Sequence, residues 1–530
     1  MASINLQDDI KANAEFVEDA TSRSELAARY TDFEKTLSFW QAVKLYWRSS
    51  LWILYGLLLV FNYGMDGIVA GYQVSVPKFR EDYGTPFDTG TYVSYIISAN
   101  WLAIFSGVSQ ITAILGALFA GYIADKIGRK YAAGLSCLVS IGGVAAQYWS
   151  NGSLGILCAG KAINGIPLGM WLVLGPLYAS EVAPLRLRGV LAGMTNSMIQ
   201  AGVFTFTGVF YELGAGTTKS AYMIPFACQW AVPAFILLTF VLWPESPVWL
   251  VRTGKRGAAM KAIQGLHGRD TPVDREGILA QIEETLALER SVAGGRDTLS
   301  YVECFKKQHR SRTLIVMFVY GCQYLSGNTF IIGYGTYLYQ LMGYSAKTSL
   351  LLGLVFTAFT FSVNIIAWVL IASVRRRPLI VWGQLAAAAS LFIIGGCSTT
   401  VGSKTNIAVL VFAFVWGFLY QVSMATVAWT VGSEIPALHM RARTQGLGNV
   451  VLNFMTWLMA FIFPYMFNPD AGNLRGKVGF VFGATTFVGF VGTYSFLPES
   501  KGRTPAELEV LFDRGISPRK FQDIDLDTLN

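Results

Sequence analysis

Residues 51–72 read LWILYGLLLVFNYGMDGIVAGY. As a helix this run is long enough to cross the apolar core of a bilayer, for which roughly 20 residues suffice. It carries one charge, Asp66, in its second half. An aspartate near the middle of a spanning helix costs about 2.5–3.5 kcal/mol on insertion scales, so it needs a partner, a water-filled cavity or a proton. Gly64, Gly67 and Gly71 surround it and permit close helix packing or a local break. Two readings are open: an aspartate at the headgroup boundary, or one facing an aqueous path inside the protein.

The composition of the whole chain places this run among others like it. Of 530 residues, 53% are hydrophobic and 14% charged, against about 25% charged in a soluble protein. A polytopic membrane protein is expected. The 54 glycines and 14 tryptophans fit helices packed on small residues with aromatic belts at the interfaces. The net charge of +8 is spread in short basic clusters between apolar runs, which is a topology signal and not a nucleic-acid surface. Five of the six cysteines lie in apolar segments and only Cys304 in a polar loop, so neither a disulfide framework nor a metal site is expected.

Twelve apolar segments follow one another: 51–72, 101–124, 132–149, 154–180, 189–211, 223–243, 314–342, 349–371, 378–398, 406–431, 445–467 and 478–497. The region 73–100 reads as a loop. An even count puts both termini on one side. The clusters Lys126/Arg129/Lys130, Arg186/Arg188, Arg375–Arg377 and Arg441/Arg443 place that side in the cytoplasm. This gives a cytoplasmic tail 1–50, a six-helix bundle 51–243, a cytoplasmic linker 244–313, a second bundle 314–497 and a tail 498–530. Within the linker, Ile278, Ile282, Leu286 and Leu288 give a partly amphipathic helix. Asn151-Gly-Ser is a glycosylation sequon in a turn too short for ready use.

The two halves repeat. SEVAPLRLRG, with Glu181 and Arg188, returns as SEIPALHMRAR, with Glu434 and Arg441, an offset of 434 − 181 = 253. PESPVWL from Pro244 and PESKGR from Pro498 are offset by 254, and Arg129-Lys130 and Arg376-Arg377 by 247. One near-constant offset at three landmarks implies the parallel-repeat plan of many secondary transporters.

These landmarks, with GYIADKIGRK after the second segment and LPESKGRTPAELEVLF near the end, resemble the sugar porter family of the major facilitator superfamily. The likeness runs from about 50 to 512. GIPLG at 165–169, GNTFIIGYGTYLYQ at 327–340 and SEIPALHMR are similar to the fungal α-glucoside (maltose-type) permeases more than to the hexose carriers. The resemblance implies an all-α major facilitator fold, twelve transmembrane helices in two six-helix bundles, at the plasma membrane. Two departures bear on the cytoplasmic clamp: Val248 stands where the family usually has arginine, and the second-half turn A-S-V-R-R-R has Ala372 for aspartate and Arg375 for glycine.

Lys161 lies within the fourth apolar run. A lone intramembrane lysine and a lone intramembrane aspartate in one bundle are accommodated most easily as partners, and the resemblance assigns Asp66 and Lys161 to proton coupling. Burial favours the neutral acid and an adjacent ammonium favours the carboxylate, so a motion that changes their distance changes proton affinity. A static structural pair is the alternative. For gating, the resemblance implies Asp125, Arg129, Glu181, Arg188, Glu245, Glu434, Arg441 and Glu499, charges that cross-link the bundles when the inner gate is shut; ordinary topology setting is the plain alternative.

A sugar offers hydroxyls in a ring plane and an apolar face, so its site needs amides and an aromatic. Motif matching places Asn196, Gln323, Tyr324, Asn328, Trp429 and Asn449 or Asn453 in that role, and Tyr63 lies one turn before Asp66. Each amide has interhelical bonding as its plain alternative. No G-x4-G-K-[ST] loop occurs, the three histidines are too scattered for zinc, and no triad is seen. The expectation is therefore no enzyme, no cofactor and no metal. The partners are a sugar, protons and lipid, with no nucleic acid, and the protein acts as a monomer. The rivals are an uncoupled sugar or polyol facilitator and a sugar-sensing receptor on a transporter fold.

Overall fold

A computed structural model describes residues 23–88, 93–268, 273–292, 301–400, 402–437 and 440–501, with scattered residues beyond. Ten helices among the described residues are long and apolar enough to cross a membrane, the first being Trp47–Ser75 and the last Arg475–Phe496. The chain is a multi-pass integral membrane protein. The expected segments 132–149 and 189–211 are also helical, as Arg129–Tyr148 and Arg188–Leu213, but they are richer in small and polar residues such as Ser136, Ser140, Gln147, Asn196 and Gln200.

The helix containing Asp66 does break: Trp47–Gly67 stops, Ile68 intervenes, and Val69–Ser75 resumes. Of its three glycines, Gly64 lies so close to the Ile199 carbonyl, and Gly71 to the Gly333 carbonyl, that a Cβ would collide with either. The sixth segment is likewise split, into Ser220–Cys228 and Ala231–Leu238. The seventh breaks at Ser326–Gly327, where Gly327 takes φ +90°, and continues through a π turn at Thr329–Gly333. A second π turn, Gln421–Ala425, interrupts the tenth. Such turns leave backbone groups to be satisfied from outside the helix. Here the Trp416 indole N–H donates to the freed Ser326 carbonyl at 3.0 Å.

The region 73–100 is not simply a loop. Pro77 opens a short helix, Pro77–Tyr83, and Thr85–Asp88 pairs antiparallel with Val93–Ile96, Thr85 opposite Ile96. Pro cannot donate a helical N–H and suits a first turn, while Gly84 ends it. Among the described residues the fold is otherwise all-α. Apolar packing joins the two halves of the sequence through Tyr72, Phe210, Tyr334 and Phe463. Polar bonds join them at the same end: Ser75 to Thr336 at 3.0 Å, Gln340 Nε2 to the Ser75 carbonyl at 2.6 Å, and Ser106 to Tyr334 at 3.0 Å.

Residues 23–45 are packed, not free. Residues 23–36 are helical, and Ser38 caps the helix Phe39–Leu45 in a capping box. The segment lies on the linker helices Arg256–His267 and Arg275–Val292: Gln281 donates to Glu34 at 3.2 Å and to Thr31 at 3.0 Å, and the Tyr30 and Tyr46 hydroxyls meet at 2.6 Å. The linker's amphipathic helix is present, but its most buried residue is Leu279, with Leu286 also buried and Ile278 and Ile282 half-buried. The Leu288 side chain lies outside the described residues. Cys304 is fully buried, against Ala437 and Met440, and not in an open polar loop.

Candidate functional site

Asp66 and Lys161 come together. Lys161 Nζ donates to Asp66 Oδ1 at 2.7 Å, and both side chains are almost wholly buried, 2% and 5% exposed. Asp66 sits near the break of its helix and Lys161 inside the Leu154–Val182 helix, both within candidate membrane spans. Two unpaired charges there would be strongly unfavourable, and pairing them is the physical reason both persist. Asn164, one turn after Lys161, donates to the same Oδ1 at 3.2 Å and accepts from Ser140 at 2.7 Å. The Phe105 ring faces the ammonium at 5.6 Å. Asn164, Ser140 and Phe105 were not anticipated from sequence; each is an uncharged residue on an apolar helix.

A second group of polar side chains gathers at the break of the seventh helix. The Tyr63 and Tyr324 phenols face each other, and Tyr324 also faces Thr456. Asn328 Nδ2 donates to the Tyr420 hydroxyl at 2.7 Å, and Tyr420 stacks on Trp416 with ring centroids 4.9 Å apart. Gln323 is buried. Its Nε2, like Asn196 Nδ2, is a buried donor with no hydrogen-bond partner among the described residues. Buried donors in that condition are expensive unless something else accepts from them. Asn453 Nδ2 donates to the Asn449 carbonyl at 2.9 Å, the ordinary bond along a helix. Trp429 is 37% exposed and packs edge-on to Tyr320 at 5.1 Å. Tyr420 belongs to this group and was not singled out by the sequence.

Two charged clusters lie at the other end of the helices. In the first, Arg129 is only 2% exposed and bonds Glu181 at 2.7 Å and Asp125 at 3.0 Å. Glu245 accepts the backbone N–H groups of Arg129, Lys130 and Ser246. Burial pushes the Glu245 carboxyl upward, with those backbone donors working against the shift. Gly128, at φ +100°, permits this turn; a Cβ there would strike the Glu245 carboxylate. In the second cluster, Arg376 bonds Glu434 at 3.2 Å, Glu499 accepts the Arg376 and Arg377 N–H groups, and Ser500 donates to Glu434 at 2.6 Å. Ser246 donates to Glu181 in the same way.

Glu181 is thus held by Arg129, while Arg188, seven residues on, is exposed in the first turn of its helix. The Arg441 side chain lies outside the described residues. Arg376, Ser246 and Ser500 complete the clusters and were missed as site residues, although the repeat offsets of 247 and 254 point to them. The loss of aspartate at 372 and glycine at 375 has a visible counterpart. Arg375 takes φ −69° where Gly128 is left-handed, and Arg376 is 14% exposed where Arg129 is 2%.

Comparison with known proteins accords with this geometry. Residues 52–512 match the family model described as "Sugar (and other) transporter". The chain is 30% identical over 531 residues, 95% of each chain, to an Aspergillus fumigatus protein named MFS transporter fmqE. It is 28% identical to a Saccharomyces cerevisiae general alpha-glucoside permease, covering 92% of this chain and 79% of that one. Among solved structures, the Escherichia coli xylose transporter XylE in its inward-open conformation superposes with a TM-score of 0.68, at 19% identity, over 87% of this chain and 98% of that one. The proton:xylose symporter XylE bound to 6-bromo-6-deoxy-D-glucose gives 0.67 at 20% identity, over 88% of this chain and 99% of that one. At such identities the likeness is one of fold. With its helical architecture and the extent of the family match, the chain belongs to the sugar transporter family of the major facilitator superfamily.

Proposed function

We propose that this protein carries a sugar into the cell together with a proton, by alternating access between two six-helix bundles. On this reading there are twelve spans, residues 51–243 and 314–497 form the bundles, and 244–313 is a cytoplasmic linker. The tails 1–50 and 498–530 lie on the same cytoplasmic side of the plasma membrane, and one copy suffices. Support for the topology comes from the basic clusters and from the sequence repeat.

The observation that carries the coupling is the buried Asp66–Lys161 pair. Ionised, the pair is internally neutral; when Asp66 takes a proton, the bond to Lys161 loses its charge and the two helices are free to separate. Three polar bonds between the halves lie at the 72–106 and 334–340 end, and Ser197 donates to Asn364 at 2.6 Å as a further link between the Arg188–Leu213 and Ala346–Ser373 helices, whereas each charged cluster is closed by residues of its own half. That arrangement fits an inward-facing state, with Asp125, Arg129, Arg188, Glu181, Glu245, Glu434, Arg441 and Glu499 serving the inner gate. Sugar binding falls to Tyr63, Asn196, Gln323, Tyr324, Asn328, Trp429 and Asn449 or Asn453. The two unpartnered amide donors, Asn196 and Gln323, favour a hydroxyl-bearing ligand. The yeast relatives named as α-glucoside and maltose permeases favour an α-glucoside.

The test is uptake of a labelled sugar panel by a yeast strain lacking hexose and maltose transport and expressing this chain, with and without a proton ionophore. Ionophore-sensitive accumulation above the outside concentration is expected for an α-glucoside. Asp66→Asn should abolish accumulation while leaving sugar exchange. Equilibration without accumulation would identify an uncoupled facilitator instead.

A further inference from the structure

The Asp66–Lys161 pair does not stand alone, and what surrounds it is specific. Both bonds that reach the Asp66 carboxylate from described residues end on one oxygen, Oδ1: Lys161 Nζ at 2.7 Å and Asn164 Nδ2 at 3.2 Å. Asn164 is 2% exposed and its amide is not free to turn. Ser140, 1% exposed on the neighbouring Arg129–Tyr148 helix, donates its hydroxyl to Asn164 Oδ1 at 2.7 Å. An amide turned the other way would set its carbonyl oxygen against the carboxylate and its NH2 against a hydroxyl already bonded. The serine therefore fixes which end of Asn164 meets Asp66.

We propose that Asn164, oriented by Ser140, is a positioning residue of the proton switch: it stabilises the ionised form of Asp66 and reserves Oδ2 as the oxygen that gains and loses the proton. This rests on the symport reading above. A neutral donor does one thing that Lys161 cannot: it adds no charge to the membrane interior. A hydrogen bond donated to a carboxylate favours the charged form, so Asn164 helps the proton leave.

The other groups facing Asp66 are few. Lys161 comes from the same helix as Asn164, and the Tyr63 phenol stands one turn back on its own helix. The Ala99–Ile127 helix presents the Phe105 ring, to the ammonium side. The Arg188–Leu213 helix carries its ionisable residues, Arg188, Tyr211 and Glu212, in its first and last turns, and Ala231–Leu238 carries none. The Arg256–His267 helix meets only the beginning of the Asp66 helix, through Tyr46 and His267.

The experiment is the pH profile of sugar uptake, each variant normalised to its own maximum. Losing a bond to a charged group corresponds to a shift of about one pH unit or more. Asn164→Ala should therefore move the alkaline limb of the profile upward by about that amount. Ser140→Ala should shift it the same way by less, and Ser140→Thr, which keeps a hydroxyl, should restore the unmodified profile. An Asn164→Ala protein with an unmoved profile overturns the inference and leaves the symport reading intact. An unmodified protein with no proton dependence overturns the reading itself. Should Asn164→Ala fail to reach the membrane, the Ser140→Ala profile decides: a shift supports the assignment and an unmoved limb rejects it.

Discussion

Asp470 Oδ2 accepts the backbone N–H of Ala99 at 2.9 Å, from 371 residues away in the chain. Ser98, at the N-cap of the Ala99–Ile127 helix, makes no side-chain capping bond. A loop of the second half therefore caps a helix of the first, with Asn468 bonding Asp470 at 2.6 Å and the Ile97 carbonyl at 2.9 Å. Loss of a helix cap costs about 0.5–2 kcal/mol, and an acid at a helix N-terminus also meets its dipole favourably. Asp470→Ala should weaken closure at this end roughly fivefold, since about 1 kcal/mol is a factor of five. Labelling of a Ser106→Cys reporter by an impermeant thiol reagent from outside should quicken accordingly. Equal labelling with and without Asp470 would show that the cap is no latch.

The two charged clusters should differ in what they contribute. Arg129 is buried against two carboxylates, and removing one partner of a buried pair costs about 3–5 kcal/mol. Arg376 and Glu434 are 14% and 30% exposed, where solvent screening brings the loss nearer 1 kcal/mol. Thermal unfolding in detergent should show a clearly larger drop in Tm for Arg129→Ala than for Arg376→Ala. Equal drops would mean that the missing aspartate and glycine of the second turn leave the clamp no looser.

Acid should loosen the packing of residues 23–45 against the linker helices. Burial, with a contribution from Arg275, brings His267 down from 6.5 to about 4, and its ring lies edge-on to Tyr46 at 5.6 Å. Below pH 6.5 the unfolded chain takes up a proton that the folded one refuses. Stability from this group is thus complete above about 6.5 and is lost as pH falls toward 4, up to about 3 kcal/mol in all. Thermal unfolding between pH 7 and 4.5 should show the decline, and His267→Gln should flatten it. An identical slope in the variant would move the cause elsewhere.

Selection by size should lie at the break of the seventh helix. Tyr324 presents a phenol and a broad ring beside Tyr63, geometry suited to stacking a second sugar ring more than to gripping one hydroxyl pair. Gln323→Ala should weaken uptake of the preferred α-glucoside by several-fold, the effect of one hydrogen bond worth roughly 0.5–1.5 kcal/mol. Tyr324→Gln should move preference toward the monosaccharide. Competition assays in which glucose is already the best inhibitor, unchanged in the Tyr324 variant, would reject the disaccharide assignment.

Much of this was legible in the chain because the bilayer simplifies the problem. A charge in an apolar run must be answered by another, so Asp66 and Lys161 could be paired before any coordinates. Neutral polar residues send no such signal. Asn164 and Ser140 sit among apolar neighbours without periodicity, and only their contact shows that they belong together. Arg376 was hidden differently, in a run of three arginines of which one turns inward. The strand pair Thr85–Asp88 and Val93–Ile96 escaped because each strand is four residues long, too short for alternation to show.

The Asp66–Lys161 pair is electrically neutral while both groups are ionised. In the proposed cycle, the empty carrier returns with that pair ionised and so moves no net charge through the bilayer. The loaded carrier, with Asp66 protonated and Lys161 still an ammonium, moves one. Each elementary charge crossing the field is worth about 2.3 kcal/mol per 100 mV. The membrane potential then drives the loaded half of the cycle alone. Hyperpolarising the cell should speed net sugar entry and leave the rate of the empty return untouched.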